Sequence, residues 1–371
     1  MAALRRRSLL PGERIRVLVV DDSVVIRRLV TQALEKDPEL QVVGFASNGA
    51  IALQRIPLVD PDVLTLDIEM PEMDGLETLR RLRKDYPDTR VIMFSTLTER
   101  GAAVTLEALS LGADDYVTKA SNEGSLDRSL ERLREELIPK IKQFFQVPVH
   151  TPPNSPPRPS GMLAPAAIRR INPPVQFTPV PPRIVVIGSS TGGPTALAAV
   201  LPHFPADFPL PVLVVQHMPP LFTRLLAERL ASHCKMSLGE ASQGERVVGG
   251  RILIAPGDFH MKVVNSGGDV HVLLDQSPPQ NFCRPAVDAL FCSVANVYGG
   301  AVVATVLTGM GQDGLRGSEV LKAQGAVILA QDQATSVVWG MPGAVANAGL
   351  ADRVLPLDLC APEILRRAHR T

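Results

Sequence analysis

The chain has 371 residues, a length that suits two domains, and its 38 basic residues balance 38 acidic ones, so no general pull toward nucleic acid or an anionic membrane is expected. Met1 to Arg7 lacks the apolar core of a signal peptide, and no stretch reaches the ~18 to 20 apolar residues of a membrane span, so a cytoplasmic protein with no direct membrane insertion is expected. Cys234, Cys283, Cys292 and Cys360 have no metal-ligand spacing, which predicts neither zinc nor a disulfide.

In chain order, strand patterns run from Ile15 to Val20, Gln41 to Ala46, Val63 to Leu66, Arg90 to Phe94 and Asp115 to Thr118, with helical stretches between them. This alternation predicts an α/β fold with a doubly wound parallel sheet of flavodoxin-like order 2-1-3-4-5. Functional groups then collect beyond the carboxyl ends of the strands, where Asp21, Asp22, Asp67, Ser95 and Lys119 fall. Three carboxylates on one rim repel one another unless a cation or proton is shared, and oxygen-only ligands suit Mg²⁺. With the metal and Lys119 absorbing charge, one carboxylate can accept a phosphoryl group while the Ser95 hydroxyl bonds its oxygens. Each aspartate alone also reads as a turn residue closing a strand; five such positions on one rim favour a site.

From residue 144 to 182 prolines crowd the sequence, Pro148 and Pro182 being the outermost, and such a segment acts as a semi-rigid spacer. After it a second alternation begins. Arg183 to Ile187 is an apolar strand pattern leading into Gly188-Ser189-Ser190-Thr191-Gly192-Gly193, with Pro194 suited to the first turn of the next helix. This places the Ser190 hydroxyl on a sharp strand-to-helix turn, where a nucleophile would sit. A glycine-rich turn of this kind equally binds phosphate through backbone N–H groups. Val212 to Gln216 forms another strand pattern that delivers His217, and Ala301 to Leu307 a third, followed by Thr308 to Gly314 with Asp313. A serine needs a base and an orienting acid, and these three strand ends share a rim. Separately, His217 could be a strand-closing residue satisfied by backbone, and Asp313 an N-cap for a helix from Leu315 to Leu321. The order Ser, His, Asp is not that of an α/β-hydrolase.

The peptides Val19 to Ser23, Leu66 to Gly75, Phe94 to Thr96 and Asp115 to Lys119 resemble the receiver domain of response regulators. With Gly188 to Pro194, Gln216 to Pro219, Gly309 to Gly314, Ala255 to Met261, Arg284 to Asp288 and Ser336 to Pro342, the chain resembles the chemotaxis protein-glutamate methylesterases. The resemblance implies a receiver domain at 14–143, the linker at 144–182 and a Rossmann-like methylesterase domain at 183–371. It implies that Asp67 is phosphorylated, that Asp21 and Asp22 help it hold Mg²⁺, that Ser95 and Lys119 sense the phosphoryl group, and that Tyr116 is the aromatic switch. In the second domain it implies Ser190 as nucleophile, His217 as base and Asp313 as orienting acid, with no cofactor for hydrolysis. Thr191 and Met310 are candidates for oxyanion support; His260 and Arg284 either line the substrate groove or satisfy neighbouring backbone and carboxylates. The implied partners are a histidine kinase as phosphodonor and methyl-accepting chemoreceptors as substrates, demethylated and often deamidated at glutamine.

Two departures from the family pattern stand out. Ala120 follows Lys119 where many receivers have proline, and the linker is long enough to leave open whether the first domain packs over the second domain's rim. A phospho-switched binding protein is the main rival, although the full G-x-G-x-x-G run is missing. A transcriptional regulator would need a basic recognition helix after the linker, and none is evident.

Overall fold

The computed structural model describes residues 12–119, 126–145 and 180–368; Ala120, the N-terminal arginines and most of the proline-rich segment lie outside them. The first half is a five-stranded parallel sheet of β1 (Ile15–Val20), β2 (Leu40–Ala46), β3 (Val63–Asp67), β4 (Arg90–Ser95) and β5 (Asp115–Thr118), in the order β2-β1-β3-β4-β5. Strands β3 and β4 are buried throughout, as expected of central strands covered on both faces. Asp67 and Ser95 are therefore the last residues of strands rather than the first beyond them. The helices are α1 (Val24–Leu34), α2 (Gly49–Val59), α3 (Gly75–Asp85), α4 (Glu99–Ser110) and α5 (Leu126–Lys142). The first four begin at side-chain caps, Ser23, Asn48, Asp74 and Thr98, each accepting a backbone N–H of the first turn.

The second half is a seven-stranded sheet built from β6 (Ile184–Ser189), β7 (Val212–Gln216), β8 (Ser237–Glu240), β9 (Arg251–Ile254), β12 (Val302–Val306), β13 (Val327–Gln331) and β14 (Arg353–Leu355). Its order is β14-β13-β12-β6-β7-β9-β8, and every pairing is parallel. Alternate residues supply the two faces. Val185, Ile187, Val212 and Val214 pack under α6 (Gly193–Val200), α7 (Pro220–Ala231) and α11 (Leu357–Ala368). Ile184, Val186, Leu213 and Val215 face α8 (Val287–Tyr298), α9 (Leu315–Ala323) and α10 (Met341–Asn347). An antiparallel hairpin, β10 (His260–Ser266) with β11 (Asp269–Asp275), is inserted between β9 and α8 and shares this second core.

Despite the length of the intervening segment, the two halves are in contact, α4 and β5 of the first meeting α6 and α7 of the second. The Tyr116 ring stacks on Phe222 of α7 at 4.6 Å between centroids and 12° between planes. Leu109 and Tyr116 join the apolar cluster that contains Phe222 and Leu226. Thr195 Oγ1 donates to the Leu109 carbonyl at 3.2 Å, and Arg224 pairs with Glu99 at 2.8 Å. Among the described residues no helix is long and apolar enough to cross a membrane.

Candidate active site

Ser189, the last residue of β6, is buried and donates its hydroxyl to Gln216 Oε1 at 2.8 Å. The chain then turns at Gly192, whose φ of 74° is the left-handed conformation that glycine adopts without strain, and Pro194 enters the first turn of α6. Ser190 sits on this turn, half-buried, facing a cleft. Its N–H donates to the Thr308 carbonyl at 3.0 Å and its carbonyl accepts from Gln216 Nε2 at 2.9 Å, so the peptide is tied to the ends of both neighbouring strands. Gly309 packs so tightly that a Cβ there would lie 2.8 Å from Ser190 Cβ.

His217 and Asp313 meet beside it. His217 Nε2 is 2.8 Å from Asp313 Oδ2, and Nδ1 is 3.4 Å from Cys283 Sγ, so neither ring nitrogen is bonded to Ser190 in this arrangement. Asp313 is not the cap of α9, which begins behind Gly314; it accepts instead the first N–H groups of α8, from Val287 at 2.6 Å and Asp288 at 3.0 Å. Asn281 Nδ2 bridges Asp313 Oδ1 and Asp288 Oδ2 at 3.0 and 2.9 Å. Burial opposes ionisation of Asp313, but the His217 hydrogen bond and these N–H groups hold its pKa below the ordinary carboxylate value. Burial, joined by the Asp313 charge, pushes Asp288 the other way. For His217 burial works against protonation, yet the hydrogen bond to Asp313 and then the contact with Cys283 outweigh it, and its pKa is pushed up to about 10. Cys283 and Asn281 sit in a loop without periodicity, and nothing in its sequence signals that it folds back onto the histidine.

The remaining candidates separate. The Thr191 and Met310 N–H groups have no hydrogen-bond partner among the described residues, and both residues line the cleft with Ser190 and His217. His260 does not reach the cleft. It is fully buried at the start of β10, accepting from the Ala286 N–H and facing the Pro278 carbonyl. Arg284 lines the cleft, but its guanidinium is committed to Asp258 Oδ1 at 2.9 and 2.5 Å and to the Gln276 and Ser277 carbonyls. The cleft, of about 910 Å³, is walled on its far side by Asp115, Tyr116 and Lys140 of the first half. There Thr191 Oγ1 donates to Asp115 Oδ2 at 2.8 Å.

On the first sheet's rim, Lys119 Nζ lies 2.7 Å from Asp67 Oδ2 and 3.0 Å from Asp21 Oδ2. Carboxylate oxygens of Asp21, Asp22 and Asp67 lie within 4.8 Å of one another, Asp22 being exposed and the other two buried. Asp21 Oδ2 is buried, and the Lys119 ammonium at 3.0 Å is its ion-pair partner. Burial raises the Asp67 pKa to about 6, with the Asp21 charge adding and Lys119 opposing. This donor set, three carboxylates offering only oxygen within 4.8 Å of one another, fits a hard divalent cation. Ser95 is turned away from Asp67: its hydroxyl accepts from Thr105 Oγ1 at 2.6 Å and faces the Gly101 carbonyl at 3.2 Å.

A family model described as CheB methylesterase matches residues 185–364, and one described as response regulator receiver domain matches 17–131. The chain is 50% identical over 357 residues, 95% of its length and 99% of the relative's, to a protein-glutamate methylesterase/protein-glutamine glutaminase of Trichodesmium erythraeum. The chain belongs to this methylesterase family. A second family member, from Nocardioides, is 52% identical over 97% of both chains. The solved methylesterase catalytic domain of CheB from Thermotoga maritima is 45% identical, covering 50% of this chain and 99% of that one, with a TM-score of 0.49. Ser190, His217 and Asp313 all lie within the segment matched by the methylesterase model, and Asp21, Asp67 and Lys119 within that of the receiver.

Proposed function

We propose that this chain is a phosphorylation-activated hydrolase that removes methyl groups from glutamyl methyl esters on chemoreceptors, and that the glutaminase activity named for its relatives extends to receptor glutamines. The observation that carries the reading is the His217–Asp313 pair opening onto the same cleft as Ser190. When Nδ1 exchanges Cys283 Sγ for Ser190 Oγ, His217 can take the serine proton as the hydroxyl attacks the ester carbonyl. Asp313, bonded to Nε2, holds the ring and stabilises the imidazolium. The unpartnered N–H groups of Thr191 and Met310 are the donors for the tetrahedral oxyanion, a contribution typically worth ~10²–10³ in kcat per donor. His217 then protonates departing methanol, and water activated by the same base frees the glutamate.

Regulation follows from the wall across the cleft. Asp67 is the proposed phosphoacceptor, with a histidine kinase as donor. Asp21, Asp22 and Asp67 would hold Mg²⁺, which when bound neutralises charge on the phosphoryl oxygens. The receiver, through Asp115 on Thr191 and Tyr116 on Phe222, covers the catalytic rim until phosphorylation shifts that contact. A coupling of ~1–3 kcal/mol would give roughly 5- to 150-fold activation. The proposed division of the chain is receiver at 14–143, spacer at 144–182 and esterase at 183–371.

The direct test is methanol release from a methylated receptor fragment, with and without a small phosphodonor and Mg²⁺. Release that rises with phosphodonor is expected from the wild type, and none from Ser190→Ala, which should still phosphorylate at Asp67. Normal turnover by Ser190→Ala would remove the serine from the mechanism.

A further inference from the structure

The loop between β11 and α8 ends in a tight turn that the proposed chemistry leaves unexplained. Gln280 and Cys283 exchange both backbone hydrogen bonds, at 3.0 and 2.8 Å, and so close a two-residue loop over Asn281 and Phe282. The φ angles of those two residues are 50° and 63°. Positive φ at both central positions is the pattern of a type I′ turn, which accepts Asn at the first position and prefers Gly at the second. Phe282 thus stands where glycine would be unstrained, and a bulky side chain in the left-handed region carries a steric cost. Among the described residues nothing offsets that cost, because the ring is fully exposed, with a relative exposure of 103%. Asn281 has a role in the fold, bridging Asp288 and Asp313; Phe282 has none.

The turn that carries the ring is nevertheless anchored on both sides. Asn281 ties the turn to Asp313, Cys283 ties it to His217, and Arg284 ties it to Asp258. Phe282 lines the same cleft as Ser190, His217 and Met310, whose side chain is itself 40% exposed. A solvent-facing aromatic on an anchored turn beside a nucleophile is the kind of group that anchors a macromolecular contact. A small ester occupying only the space around Ser190 gains little from it, whereas a folded protein must lay its surface across it.

We infer that Phe282 is a substrate-docking residue that packs on the apolar surface flanking the target side chain of a folded receptor protein, and so makes the enzyme selective for protein-borne esters. The inference rests on the methylesterase reading, and its occupant is the receptor because the ring is continuous with the cleft that must receive the ester.

The test compares wild type, Phe282→Gly and Phe282→Tyr on a methylated receptor fragment and on a small glutamyl methyl ester. Phe282→Gly suits the turn better than the native residue, so folding is not at risk, and a melting curve verifies this. The expected result is a rise in receptor KM, so that the ratio of kcat/KM for receptor over small ester falls about tenfold in Phe282→Gly, equivalent to ~1.4 kcal/mol, while Phe282→Tyr keeps most of the wild-type ratio. An equal ratio in wild type and Phe282→Gly overturns the inference alone. A wild type that hydrolyses the small ester but not the receptor overturns the receptor reading and this inference with it.

Discussion

His217 can take a proton from Ser190 only while Nδ1 is unprotonated and free, and Cys283 competes for that nitrogen. With the imidazole pKa pushed up to about 10, the neutral base becomes more abundant as pH rises, and basal esterase activity is expected to rise with it. Cys283→Ala removes one of the contacts that favour the imidazolium, so the rising limb of the pH–rate profile should move to lower pH. A limb that stays in place would leave the thiol with a packing role only. The same shift has a signed consequence for stability. Because the folded-state value lies above the ordinary 6.5, the charged pair contributes fully below that pH and its contribution is lost as pH rises through about 10. Asp313→Asn would leave a largely buried histidine and the α8 N-terminus without their anion. Breaking a buried pair in this way costs about 3–5 kcal/mol, and loss of the orienting acid on the order of 10⁴ in kcat, measurable by denaturant titration and methanol release.

The elements that present these residues are three neighbouring strands, β7, β6 and β12, whose carboxyl ends stand side by side. Gly309 follows β12 against both Ser190 and Met341, where a Cβ would come within 2.4 Å of the Met341 sulfur. Gly309→Ala should therefore displace the serine turn, cost ~1–3 kcal/mol by overpacking, and lower kcat more than it raises KM. A variant with wild-type kinetics would show that the loop yields without moving Ser190. Strand ends of this sort were legible because buried parallel strands are continuous apolar runs, so Val302 to Val306 or Val212 to Gln216 point to their own termini. Two kinds of feature were not. The β10–β11 hairpin and its exit turn are set by packing on α8, which no local pattern encodes, and so Cys283 and Asn281 went unread and His260 could be assigned to the groove. The place of Asp313 on the rim was legible, but its tie to the start of α8 depends on a helix 26 residues earlier in the chain folding beneath it.

At the scale of the whole molecule, the contact between the halves runs from the sheet that carries Asp67 to Thr191, beside Ser190, in few steps. Asp115 begins β5, which ends just before Lys119, and it holds the Thr191 hydroxyl while its neighbour Tyr116 stacks on Phe222. Asp115→Asn replaces the accepting oxygen without removing volume. It should raise methanol release in the absence of phosphodonor by roughly 10-fold, the worth of a hydrogen bond to a charged group, while activity with phosphodonor changes little. Unchanged basal activity would mean that the lid is held by the aromatic stack instead. On the proposed function, the wall that Asp115 and Tyr116 place across the cleft would make the receiver and the receptor substrate rivals for one surface. Rivalry for a surface runs both ways, because binding energies around a closed cycle must sum to zero. Whatever factor phosphorylation contributes to substrate affinity, engaged substrate must return to the phosphoacceptor equilibrium, so an enzyme already docked on its receptor is the one most readily switched on. Activation would then concentrate where the esters are, and idle copies elsewhere would remain closed.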